Sequence, residues 1–181
     1  MSVFRQSLYF TEQQVQAAKR ALGRLAGLDG VNVAVAIDYR GVPLVHIKRG
    51  NWQENVKVSE LATLVAAQMA AMESTARLLG ETGYHEVFQS GRGLGLLLRR
   101  IVPGKGSEFE DDKRARGTLL VLFDAQKPTG PLRAEAHKVT DELSAIFVEA
   151  AKNEVPEEVP DFDRDQTVRA LEDLFNSEGN G

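Results

Sequence analysis

The sequence predicts an α/β domain built on a single antiparallel sheet, and three observations carry that reading. Three long stretches repeat apolar residues at helical spacing, and five short ones have strand character. The strands come in runs joined by Gly-bearing turns, which makes them antiparallel neighbours. One strand, Thr118–Phe123 (TLLVLF), is apolar on both faces and belongs mid-sheet, whereas the strand with Pro43 and the polar strand HEVFQ belong at edges. Together these place five strands in the order 2-1-5-4-3, with the long central helix on one face and the first and third helices on the other.

Thr11–Leu25 reads as the first helix. Thr11 followed by Gln14 matches a capping box, and Val15, Ala18, Leu22 and Leu25 line one face. Val31–Ile37 alternates Val33, Val35 and Ile37 with the smaller Asn32, Ala34 and Ala36, so a helix can pack closely on the second side. Asp38–Gly41 turns the chain into Val42–Lys48, where Pro43 cannot donate to a ladder.

Ser59–Gly80 is the long helix, with Ser59 expected as N-cap and Gly80 as its stop. Leu61, Leu64, Gln68, Met72, Thr75 and Leu79 form a mostly apolar stripe, expected to pack on the sheet. Ala62, Ala66, Ala67, Ala70 and Ala71 form a second strip of methyl groups, suited to a flat protein contact. His85–Gln89 is a short polar strand, and Leu94–Val102 is the fourth. The charged loop Pro103–Arg116 is expected to be mobile. Leu132–Ala151 is the last helix, with Leu132, Ala136, Val139, Leu143, Ile146, Phe147 and Ala150 as its stripe.

Composition excludes several functions. With 181 residues the chain fits one domain and a tail, and no apolar run approaches the roughly 18 residues of a membrane span. The N-terminus lacks the order of a secretory signal. The absence of cysteine removes disulfides, thiolate metal sites and cysteine nucleophiles, and fits a cytoplasmic protein. A net charge of -4 gives no drive toward nucleic acid. From Glu154 onward nine acids face only Arg164 and Arg169, a net of -7, which leaves +3 on the first 153 residues. Such a tail can fold back or reach a basic patch on a partner. The division is therefore a body over 1–152 and, over 153–181, an acidic linker followed by a short amphipathic helix.

This element order resembles the Roadblock/dynein light chain family, a relative of the longin fold. The resemblance rests on LATLVAAQMAAMESTARLLGE in the long helix, GTLLVLFDAQKPTGPLR at the last strand and turn, and VNVAVAIDYRGVPLVHI at the first hairpin. Within the family it is nearest the bacterial MglB branch, through FQSGRGLGL, LLVLFD and a detached C-terminal segment ending ALEDLF. The loop 103–116 is longer than the family usually carries. The resemblance implies a homodimer that binds a Ras-like small GTPase of the MglA type and stimulates GTP hydrolysis by remodelling its switch region, without an arginine finger. It also implies a role in cell polarity or motility, with concentration at a cell pole. The alternative is a Roadblock scaffold that recruits a GTPase or motor complex without activating it.

The candidate residues follow. Thr63, Ala66, Ala67, Ala70 and Ala71 are expected to face the GTPase. Val168, Leu171, Leu174 and Phe175 give the C-terminal helix an apolar stripe for docking on the GTPase, in recruitment or nucleotide exchange. The short edge strand invites pairing between two copies, so His85, Val87 and Gln89, with Met69 and Met72, are expected at the dimer interface. Arg92, Arg99, Arg100 and Arg116 read as surface charge. His46, His85 and His137 sit on separate elements with no metal or catalytic spacing, and GRGLG is a hairpin turn without the Lys-Ser/Thr of a phosphate loop. No catalytic residue, metal or cofactor is expected, and no membrane insertion.

Overall fold

The computed structural model describes residues 8–50 and 57–153. Its elements run α1 (Glu12–Ala26), β1 (Val31–Asp38), β2 (Pro43–Lys48), α2 (Val58–Leu78), β3 (Glu86–Ser90), β4 (Leu94–Ile101), β5 (Gly117–Asp124) and α3 (Gly130–Ala151). The five strands form one antiparallel sheet in the order β2-β1-β5-β4-β3, the Roadblock/longin-like arrangement. β5 is buried along nearly its whole length, as a strand apolar on both faces must be. Pro43 sits on edge strand β2, just past a register shift between Ala36 and Ile37.

The sheet divides the core in two. On one side Ala34 and Ala36 of β1, with Leu97, Leu119 and Val121, pack beneath α1 and α3, where Leu22, Leu25, Leu143 and Phe147 are fully buried. On the other side Val33, Val35, Ile37, Leu98 and Leu120 pack beneath α2. Thr11 caps α1 through a capping box, its hydroxyl accepting from Gln14 N–H at 3.3 Å while its own N–H donates to Gln14 Oε1 at 2.8 Å.

Helix α2 departs from expectation at its start and in its phase. It begins at Val58 rather than after Ser59, because the Lys57 carbonyl already accepts the Leu61 N–H; Ser59 lies inside the first turn and makes no cap. Its end is as expected. Gly80 has φ +78°, its N–H reaches the Arg77 carbonyl, and the Glu81 N–H reaches that of Ala76, which closes a Schellman motif. The sheet-facing residues are Ala62, Val65, Met69 and Ala76, with Val58, Leu61 and Met72 half-buried beside them. Leu64 and Leu79, placed by spacing on the inner stripe, are 68% and 67% exposed, and Ala62, placed outside, is fully buried.

The phase follows from the β1–β2 turn. Gly41 has φ +88°, and a Cβ there would lie 2.8 Å from Ala66 Cβ and 3.4 Å from both the Ala62 carbonyl oxygen and Thr63 Cα. The turn thus lies against the helix at Ala62, Thr63 and Ala66, with little room beyond the Ala66 methyl.

The loop 103–116 also differs from expectation, because it carries its own structure. Asp112 caps a short 3₁₀ turn at Lys113–Ala115, accepting from the Arg114 N–H and pairing with the Arg114 guanidinium at 2.7 Å. Glu110 accepts from the Gly106 N–H, Ala115 is fully buried, and Phe109 packs against the α1–α3 core. Among the described residues no helix is long and apolar enough to cross a membrane.

Candidate functional site

Among the described residues, the outer face of α2 carries the two most exposed large apolar side chains, Leu78 and Leu64. Leu64, Ala67, Ala70, Ala71 and Leu78 are exposed along it, Leu78 at 88% and Leu64 at 68%. Its hydroxyls are turned inward. Thr63, Ser74 and Thr75 donate to the carbonyls four residues back, those of Ser59, Ala70 and Ala71, at 3.0, 3.0 and 3.1 Å. The face therefore presents methyls and two leucines with its hydroxyl protons already placed. Alanine loses no rotamer freedom on burial, so such a surface costs little entropy to cover.

Of the residues expected to face a partner, Thr63, Ala67, Ala70 and Ala71 lie on this surface. Ala66 is half-buried, because it abuts the Gly41 turn. Spacing places Leu64 on the inner stripe and puts Leu78 on neither strip. The signal for both lay in the phase of the helix, which the Gly41 contact sets.

The five residues expected at a dimer contact divide. β3 pairs with β4 alone, so its other edge ends the sheet, and His85 and Gln89 are exposed there. Val87, 8% exposed, and Met69, 6% exposed, point into the chain's own core under α2. Met69 supports the helix from below and offers no surface, a correction to its expected role. Val87 keeps its backbone on the edge. Met72 is half-buried at the helix margin. Val168, Leu171, Leu174 and Phe175, with the linker before them, lie outside the described residues.

The arginines are mostly engaged. Arg99 pairs with Glu86 at 2.6 Å and meets His137 Nδ1 at 3.1 Å; Arg100 pairs with Glu73 of α2 at 2.9 Å; Arg116 donates to the Glu110 carbonyl at 2.5 Å. Glu86 is the hub of the β3 edge, since Arg133 of α3 also bonds its carboxylate. Burial pushes the Glu86 carboxyl up, but the hydrogen bonds and charges of Arg133 and Arg99 outweigh it and hold the carboxyl below its ordinary range.

A cleft of about 250 Å³ lies beside the α2 face, walled by Ala66, Ala70 and Glu73, by Tyr39 of the hairpin and by Lys113 of the 3₁₀ turn. No group of three or more His, Cys, Asp or Glu is gathered as a metal site among the described residues.

The fold has close neighbours among solved structures. An MglB with a tetrameric arrangement is 26% identical, with a TM-score of 0.69 over 80% of this chain and 97% of its own. The gliding protein MglB from Thermus thermophilus is 25% identical, with a TM-score of 0.68 over 79% and 97%. Myxococcus xanthus MglB is 26% identical, with a TM-score of 0.65 over 82% and 100%. A Roadblock/LC7 domain from Streptomyces avermitilis, 13% identical with a TM-score of 0.55, shares the fold. No family model and no curated protein matches the chain.

Proposed function

We propose that this protein is a Roadblock-type regulator of the MglB kind. In this reading it acts as a homodimer that binds a Ras-like small GTPase of the MglA type and stimulates its GTP hydrolysis, in cell polarity or gliding motility. The observation that carries the reading is the likeness to three MglB structures over nearly their full length. The uncovered α2 face supplies a surface for the contact.

Geometry supports the assembly. If two β3 edges pair antiparallel, the twofold axis stands perpendicular to the continuous sheet. Both α2 helices then lie on one side and all four α1 and α3 helices on the other. The two apolar faces become neighbours across the axis and form one ridge. An asymmetric partner seated over the axis occupies both halves, so one GTPase binds per dimer.

Activation through such a ridge works by selection. Phosphoryl transfer draws mainly on positioning and charge stabilisation, so a surface that prefers the catalytically aligned switch conformation speeds hydrolysis without donating a residue. Arg99 and Arg100 are held by Glu86 and Glu73 within the protomer, which fits a mechanism without a finger. In the same reading the C-terminal segment, with Val168, Leu171, Leu174 and Phe175, adds a second contact to the GTPase for recruitment or nucleotide exchange.

The test is single-turnover GTP hydrolysis by the cognate Ras-like protein with and without this chain. Acceleration is the expected result. Binding without acceleration overturns the activator and leaves the non-activating scaffold, and absence of binding overturns both.

A further inference from the structure

On the α3 side of the sheet an aromatic row runs out to the edge formed by β3. Phe123 of β5 lies across β4 at Gly95, where a Cβ would fall 2.2 Å from its ring, and reaches Phe88 of β3 with ring centroids 5.4 Å apart. Only a residue without a side chain leaves that path open. The Arg133 guanidinium of α3 stands 5.5 Å from the centre of the Phe88 ring while it bonds the Glu86 carboxylate. The ring is thus fixed from two sides, yet Phe88 remains 38% exposed at the edge. An aromatic side chain held in place before binding loses little entropy when it is covered.

The backbone of the strand points the same way. The Arg100 N–H donates to the His85 carbonyl and the Gly91 N–H to the Leu94 carbonyl, so the odd-numbered residues of β3 bond to β4. The N–H and C=O groups of Glu86, Phe88 and Ser90 therefore face away from the sheet, and Phe88 is the midpoint of the strand. A second copy turned about a twofold through Phe88 sets Glu86 against Ser90 and Phe88 against its own counterpart, and every outward group finds a partner. Moving the axis to Val87 leaves Ser90 opposite Tyr84, and moving it to Gln89 leaves Glu86 opposite Arg92, both beyond the strand. An axis at Glu86 puts two carboxylates directly opposite, which repel. An axis at Ser90 carries Phe88 onto the turn at Arg92.

We propose that Phe88 sets the register of self-association: two copies join β3 to β3 with Phe88 on the twofold axis. The aromatic row then becomes continuous, Phe123 and Phe88 of one copy followed by Phe88 and Phe123 of the other, and aromatic pairs directly across two strands are favourable. The inference rests on the β3-to-β3 assembly of the proposed function and names its centre. It puts the side-chain contact at the seam on the α3 side, away from the α2 ridge, so self-association and partner binding draw on different side chains.

The chain holds no cysteine, so single cysteines report the axis. Val87→Cys, Phe88→Cys and Gln89→Cys of the full chain are oxidised separately. A residue on the axis faces itself with Cα atoms about 5.5 Å apart, inside the span of a disulfide. One position off the axis, two residues at about 3.4 Å along the strand and about 5 Å across it separate the Cα atoms by about 8 Å, beyond the limit of about 7 Å. Phe88→Cys should therefore run as a disulfide-linked dimer and the other two as monomers on a non-reducing gel. Because Phe88→Cys removes the ring, the unsubstituted dimer is read as well. With Phe88 on the axis, Val87 of one copy faces Gln89 of the other in a non-hydrogen-bonded pair, so a mixture of isotope-labelled and unlabelled copies should show an NOE between their α protons. That NOE decides where Phe88→Cys no longer dimerises. Crosslinking at position 87 or 89, or an NOE between a different pair of β3 residues, moves the axis and overturns the proposal. Neither signal in a chain that elutes as a dimer overturns it together with the β3 assembly, and elution as a monomer overturns the homodimer itself. Single-turnover hydrolysis reads the regulation of a GTPase apart from all of these.

Discussion

Replacing Gly41 by alanine tests what sets the phase of α2, and with it the identity of the exposed face. The residue sits at φ +88°, where an L side chain costs about 1–2 kcal/mol. Its new Cβ would also meet Ala66 Cβ at 2.8 Å, closer than methyl groups approach, and overpacking of this kind costs about 1–3 kcal/mol. The two terms sum to about 2–5 kcal/mol of lost stability. For a domain of this size that lowers Tm by on the order of 4–20 °C. Ala66→Gly alone should cost about 1 kcal/mol as a glycine in a helix interior. Combined with Gly41→Ala it removes the methyl that is struck, so the double variant should be about 1–2 kcal/mol more stable than additivity allows. Urea unfolding of the four proteins measures the coupling. The backbone term is untouched by Ala66→Gly, so the double variant remains below wild type. Additive behaviour would mean that the turn does not press on the helix, and the account of that contact would fail.

Three further outcomes are expected. Ala67→Arg lies on the exposed α2 face, so it should change stability by less than about 0.5 kcal/mol yet abolish GTPase binding in a pull-down; loss of the dimer on gel filtration would reassign Ala67 to self-assembly. Glu86 has its folded pKa held below its unfolded value, so it adds stability above the ordinary carboxylate range that is lost as pH falls through the lowered pKa. Glu86→Gln should therefore flatten the acid limb of Tm against pH between neutrality and about pH 3, and an unchanged slope would remove the Arg99–Glu86–Arg133 bridge from the account. Gly117→Ala would place a Cβ 2.3 Å from the Ile37 carbonyl oxygen, backbone that cannot yield without opening the β1–β5 pair; a cost above about 3 kcal/mol is expected, and soluble protein with wild-type urea stability would contradict it.

Strand order was legible because each strand declares its place through one chemical fact. Pro43 cannot donate, HEVFQ is polar, and TLLVLF has no polar face. The small residues Ala34 and Ala36 likewise marked the side on which α1 packs. The phase of α2 was not legible, since both of its faces are apolar and spacing alone favours the stripe with the larger residues. What decides is a non-local contact with Gly41, well upstream in the chain, and no local pattern reports that distance. The loop 103–116 misled for a related reason. Its charges read as solvated, but Asp112 and Glu110 spend theirs on Arg114 and on the Gly106 N–H, and Phe109 and Ala115 anchor it.

The sheet separates two surfaces that differ in chemistry. The α2 side offers methyls and leucines with local hydroxyls already bonded, flanked by the exposed charges of Glu60 and Arg77, a surface that discriminates chiefly by shape. The α3 side offers a polar surface, with Arg99 and Arg133 gathered on Glu86 and His137 beside Arg99. Because β5 and β1 stand between them, buried and paired along nearly their whole length, a partner on one side does not touch the other.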